Sequence, residues 1–166
     1  MIQLKKLKCV SDDIDIFAYL EQFNLVKSCM ADSSMMGSFD FQKVKYFLSE
    51  GAKIWMFYQN DKFVCSMMYV PSSQEIIDGF GLKLKSSEIG ECGPIFVHPD
   101  YRGKGLQKQM LLYLSKYCRD LGHKTILTTI HPENDISILN FEESGYHFVS
   151  KIKLKRGERN LYLKDL

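Results

Sequence analysis

No stretch of this sequence approaches the ~20 consecutive apolar residues of a membrane helix, so nothing in it suggests a span. The first ten residues, MIQLKKLKCV, alternate apolar and polar and lack the apolar core of a secretory signal. Neither sign of charge is in excess: 22 Lys and Arg stand against 20 Asp and Glu, a formal net charge of +2. That balance gives no general reason to expect nucleic acid or a membrane surface as partner. Clustered thiols are missing too. The five cysteines (Cys9, Cys29, Cys65, Cys92 and Cys118) are odd in number and scattered, with no C-x-x-C pair. A zinc site needs grouped ligands, and a disulfide framework needs an even count in an oxidising compartment. The plain expectation is reduced thiols in a cytoplasmic protein, mostly packed as small hydrophobes, with no metal. His98, His123, His131 and His147 show no ligand spacing and read as turn or surface residues. No internal repeat, low-complexity segment or linker divides the chain, so residues 1–166 read as one domain.

What is present is an ordinary core-forming composition, 45% hydrophobic and 25% charged. Ile2–Val10 alternates as a half-exposed strand does. SDDIDIFAYLEQF follows as an amphipathic helix opened by Ser11 and its aspartates. Asn24–Ser38 reads as loop and short helix, and Phe39–Glu50 as a second helix stopped by Gly51. Two strands flank Asn60-Asp61, a hairpin signal. Pro71–Lys85 is long for a connection, a length that often marks function. Ser87–His98 is a central strand interrupted by Gly90, Gly93 and Pro94. Gly103–Leu121 is a strong helix with Leu106, Met110, Leu114, Tyr117, Cys118 and Leu121 on one face. Lys124–Ile130 is a strand, Glu133–Ser144 a helix, and two strands close the chain around Arg156-Gly157. The strand–helix–strand run from Ile95 to Ile130 makes parallel neighbours by a right-handed crossover.

The stretch VHPDYRGKGLQ, Val97 to Gln107, falls at the carboxyl end of that central strand, where α/β sheets bind ligands. A helix N-terminus offers unpaired N–H groups and roughly half a positive charge, so phosphate is its natural guest. Gly103 and Gly105 let a ligand approach the backbone, and Arg102 and Lys104 add charge on either side. A P-loop is excluded, because Leu106 rather than Lys follows the last glycine. The G-x-G-x-x-G dinucleotide pattern fails as well, since its third glycine position holds Lys108. From the residues alone, a pyrophosphate cradle and an ordinary strand-to-helix turn both remain open.

VHPDYRGKGLQ resembles the acetyl-CoA motif of the GNAT superfamily of N-acetyltransferases, in which Q/R-x-x-G-x-G/A follows a Val-x-Pro. Arg102 takes the first position, Gly105 the middle glycine, and Gln107 stands where Gly or Ala is usual. NDISILNFEESGY resembles the later block of that superfamily, with Asn134 before a helix and Gly145-Tyr146 after it. The resemblance implies a single α/β domain of mixed α+β order. Its strongly twisted sheet would have about six or seven strands, flanked by about four helices.

It further implies an acetyl-CoA-dependent N-acetyltransferase acting by direct transfer in a ternary complex on a small-molecule or peptide amine. The pyrophosphate of acetyl-CoA would rest on the N–H groups of Arg102, Gly103, Lys104, Gly105, Leu106 and Gln107. Its pantetheine arm would run beside Ile95, Phe96 and Val97, along a sheet that opens beyond Val97. Asn134 would tie the arm or cap its helix. Alignment of the glycine turn puts Glu91 at the catalytic glutamate of histone-acetylating members, with Glu88 in reserve. Phe141 stands where the superfamily often has a proton-donating tyrosine. That departure keeps open a non-catalytic acyl-CoA-binding or regulatory module on the same fold. Dimerisation, common in the superfamily, is left open too. The acceptor is expected near Leu25–Ser38, Pro71–Lys85 and Arg156–Glu158. Met30, Met35 and Met36 read either as an adaptable acceptor pocket or as core filler.

Overall fold

The computed structural model describes residues 6–166. One seven-stranded sheet runs β1-β2-β3-β4-β5-β7-β6. Its strands are β1 (Lys6–Cys9), β2 (Lys53–Gln59), β3 (Lys62–Pro71), β4 (Ile89–Val97), β5 (Thr125–Ile130), β6 (His147–Leu154) and β7 (Gly157–Asp165). Five α-helices, α1 (Asp13–Ser28), α2 (Phe41–Ser49), α3 (Gln74–Gly79), α4 (Leu106–Asp120) and α5 (Asp135–Glu143), cover its faces. The strand expected from Ile2 is present from Lys6; its earlier part lies outside the described residues. All pairings are antiparallel except β4 with β5, the crossover that α4 makes.

Alternation sorts the side chains of each strand between two faces. Trp55 and Phe57 of β2 join the layer under α4 and α5, with Leu106, Met110, Leu114 and Phe141. Ile54 and Met56 join the opposite layer, packed by Tyr19, Phe23 and Val26 of α1 and Val44 of α2. A third cluster seats Ile77 of α3 on Ile89, Leu127 and Leu161.

Local chemistry sets most boundaries. Asn60 and Asp61 both take positive φ, 50° and 58°, as a two-residue hairpin demands. The aspartate that caps α1 is Asp12, whose side chain accepts from the Asp15 N–H at 2.8 Å. Three expectations are corrected. α1 runs on to Ser28, because Phe23 and Val26 continue its buried stripe. The Pro71–Lys85 excursion contains a helix, since Ser73 caps α3 and Ile77 is wholly buried. On α4, Leu111 is buried and Leu121 is half exposed, so the inward face is turned slightly from the anticipated one.

Candidate active site

The parallel pairing of β4 and β5 lasts only from Ile89–Thr125 to Glu91–Leu127. Past that point β4 keeps β3 along one edge and, among the described residues, has no strand along the other. A bulge between Met67 and Tyr69 of β3 and the facing Cys92–Ile95 of β4 helps bend it away. The sheet therefore opens at Cys92, earlier than the anticipated point beyond Val97. Thr128 of β5 spans the first open step, its hydroxyl donating to the Cys92 carbonyl at 3.3 Å.

At the far end of β4 the chain makes a short 3-10 turn, Pro99–Tyr101. Gly103 and Gly105 follow with φ of 73° and 69°. A Cβ built at either glycine meets nothing within 4 Å, so the space beside this backbone is open. Side chains cap the N-termini of α1, α2, α3 and α5, whereas α4 begins at Gly105 with no side-chain cap. Among the described residues, no protein acceptor takes the N–H groups of Gly103, Lys104, Gly105, Leu106 or Gln107. The Arg102 N–H is already spent on the Pro99 carbonyl at 3.2 Å, so the run of free donors starts one residue later than anticipated. Consecutive unpaired amides at a helix start form an anion-binding concavity. Arg102 is exposed beside it, while Lys104 bends back to the Asp100 carbonyl and over the Tyr101 ring. The Leu106 side chain is buried in the core, leaving only its backbone to the turn.

A cavity of about 800 Å³ extends along the opened sheet, and Glu91, Ile95, Gln107 and Asn134 all line it. Phe96 and Val97 do not. Phe96 packs into the α1–α2 layer and Val97 against the α4 layer. Asn134 caps α5, its side-chain oxygen accepting from the Ser137 N–H at 3.2 Å, and borders the cavity as well. Gln107 donates to the Ser137 hydroxyl at 3.3 Å and accepts from the Asn140 amide at 2.8 Å, stitching α4 to α5.

Burial pushes the Glu91 carboxyl up to about 7, a rise that the Arg156 charge opposes. Glu88 instead pairs with Lys124, which lowers its pKa, and it stands outside the cavity. Phe141 faces the cavity and can donate no proton. Of the neighbouring serines, Ser137 lines the cavity while Ser144 donates to the Asn140 carbonyl at 2.7 Å. Burial raises the Cys92 thiol far above its usual range, as befits a packed side chain. No group of three or more metal-type ligands occurs among the described residues.

The opposite end of the cavity is built by the segment between α1 and α2, by Ile76 of α3 and by the β6–β7 turn. Met35 and Met36 line it and Met30 does not. His123, anticipated as a turn or surface residue, bonds the Tyr69 hydroxyl at 2.8 Å. Sequence reasoning missed Arg156 as an individual side chain and missed Thr128 and Thr129 altogether. Their only signal was position, at the strand next to the split and at the last hairpin turn.

A split parallel pair beside an uncapped, doubly glycine-bent helix start offers unpaired backbone that an extended anionic ligand could use. Residues 21–146 match the family model described as the acetyltransferase (GNAT) family. The chain belongs to that family.

Solved structures agree on the fold. AAC(6')-Ib in complex with paromomycin and acetyl-CoA superposes with a TM-score of 0.73 at 12% identity, over 97% of this chain and 94% of that one. The ribosomal-protein-alanine N-acetyltransferase of Brucella melitensis gives 0.72 at 15%, over 98% and 100%. A Bacillus subtilis acetyltransferase in complex with CoA gives 0.66 at 14%, over 97% and 98%. No curated protein sequence matches this chain.

Proposed function

We propose that residues 1–166 form one N-acetyltransferase unit that moves an acetyl group from acetyl-CoA directly to an amine. The observation that carries this reading is the run of free backbone N–H groups from Gly103 to Gln107, at the mouth of a sheet opened from Cys92. These donors, with the Arg102 side chain and the flanking Lys104, would hold the pyrophosphate. The unpaired edge of β4 at Ile95, Phe96 and Val97 would take the pantetheine amides as a strand takes its neighbour. Leu106 contributes its backbone alone, and Asn134 orders the start of α5 along the cavity wall. Acetyl-CoA supplies the activated acyl group. The acceptor would enter from the end built by the α1–α2 segment and the β6–β7 turn.

An amine of ordinary pKa near 10.4 must lose a proton before it can attack a thioester. A base works best with a pKa near the working pH, and Glu91, at about 7, has that property. Glu91 accepts the amine proton directly or through water, and a β4 backbone N–H stabilises the developing oxyanion. With Phe141 in place of a tyrosine, CoA departs as a thiolate, whose conjugate thiol has a pKa near 8.5, and takes its proton from water.

Release of free thiol should be followed across an amine panel, with mass spectrometry of the acceptor. Amine-dependent thiol release together with an acetylated amine is the expected result. Tight acetyl-CoA binding without turnover on the whole panel would favour the non-catalytic module instead.

A further inference from the structure

Arg156 stands at the junction of two cavities. It lines the main one and also a second, of about 610 Å³, bordered by α3 and the β6–β7 hairpin. Glu91 and Thr129 are shared by both as well. One guanidinium N–H donates to the Thr129 hydroxyl at 3.0 Å. A guanidinium carries five donors in a planar fork, and among the described residues no carboxylate forms an ion pair with this one. Glu91, which lines both cavities with it, feels its charge.

The remaining charges at that end are mostly engaged. Lys27 donates to the Gly37 carbonyl at 2.9 Å and to the Ser38 hydroxyl, and Lys43 donates to the Ser38 carbonyl at 2.9 Å. Asp32 accepts from the Ser34 N–H at 2.8 Å. A wall carrying Lys27, Lys43, Lys155 and Arg156 against Asp32 and Glu91 repels a polycation. A simple monoamine would leave the fork at the junction unmatched.

Resting on the transferase reading above, we propose that the acceptor is a small amino acid, and that Arg156 receives its carboxylate while Glu91 faces its amine. Glu91 pairs in register with Leu127, and Thr129, which holds Arg156, lies two residues further along the same face of β5, so the two groups they serve are neighbours a few bonds apart. α- and β-amino acids meet that condition. A peptide N-terminus, whose nearest carboxyl is an amide, does not. The planar fork suits a carboxylate bidentately.

The test compares matched pairs, each an amino acid with its decarboxylated amine and its carboxamide. The proteins are the wild type, Arg156→Gln, Arg156→Lys and, as a control outside both cavities, Lys116→Gln. Both kcat/KM and calorimetric binding to the CoA-loaded protein are read. Charged hydrogen bonds of this kind separate the members of a pair by roughly ten- to hundredfold. Arg156→Gln should collapse that ratio through KM, Arg156→Lys should restore part of it, and Lys116→Gln should leave it standing. Equal use of both members by the wild type, or a ratio that Arg156→Gln does not move, overturns the assignment. Carboxylate-selective binding without turnover would keep this site while removing the transferase reading. Binding of no pair member would overturn the proposed acceptor while leaving the acetyl-CoA cradle to be judged by its own affinity.

Discussion

Glu91 carries two consequences that can be read separately. Its carboxyl titrates near 7, so the rate of transfer should climb with pH through that value as the base ionises. Glu91→Gln should lose this acidic limb and at least tenfold in kcat, as removal of a general base does (about 10²–10⁴-fold). A pH–rate profile checks it; a limb that persists in the variant moves the base elsewhere. The second consequence concerns stability. The native pKa lies above the usual 4.5, so between about 4.5 and 7 the folded chain keeps a proton that the unfolded chain has lost. Stability therefore falls as pH rises across that window. Glu91→Gln should raise the thermal midpoint at pH 8 and leave it nearly unchanged at pH 4. The sequence marked Glu91 only through alignment of the glycine turn. Its raised pKa comes from burial in the folded sheet, against the opposing charge of Arg156, and no local pattern encodes either.

Among the elements, the α4–α5 pair shows how a departure from the family motif is absorbed. Gln107 stands where Gly or Ala is usual, and its amide links Ser137 to Asn140. Gln107→Ala removes both bonds but keeps the backbone N–H, so stability should drop by about 1–2 kcal/mol while acetyl-CoA affinity holds within a few-fold. Denaturant melts and calorimetry separate the two effects. The open edge of β4 gives a second element-level prediction: acetyl-CoA should slow amide exchange at alternate residues of Ile95–Val97, where a new neighbour would pair. Unaltered exchange there would exclude strand-like docking. Elements with local signals were legible: the Asn60-Asp61 hairpin, the α4 stripe and the glycine stops. Others depended on distant partners. α3 was hidden because its short sequence is held by Ile77 packing on Ile89 and Leu127. The sheet opening was misplaced because the divergence follows from a bulge and the partner's path.

Across the whole molecule, the far end of the cavity joins segments from both halves of the sequence. Arg159 of β7 is buried, donating to the Glu158 carbonyl at 2.7 Å and to the Ser34 carbonyl at 2.9 Å. It thereby pins the α1–α2 segment to the last strand. Arg159→Met should cost roughly 1–3 kcal/mol through carbonyls left unpaired and should raise the acceptor KM more than that for acetyl-CoA. Parallel steady-state titrations of the two substrates read this difference. The glycine turn before α4 was legible because it lies on one contiguous stretch, VHPDYRGKGLQ. The acceptor side was named only by region, since Met36, Ile76 and Arg156 meet through folding alone.

On the proposed reading, main-chain amides at the start of α4 hold the phosphates of the acyl carrier. The space beside Gly105 is open, so a glutamate there would enter the cradle, at a strain of about 1–2 kcal/mol for its positive φ. Calorimetric titration of acetyl-CoA into the wild type and Gly105→Glu is the most direct measurement. The predicted result is saturable binding by the wild type and none by a Gly105→Glu protein that still melts cooperatively. An unchanged affinity in the folded variant would contradict the account.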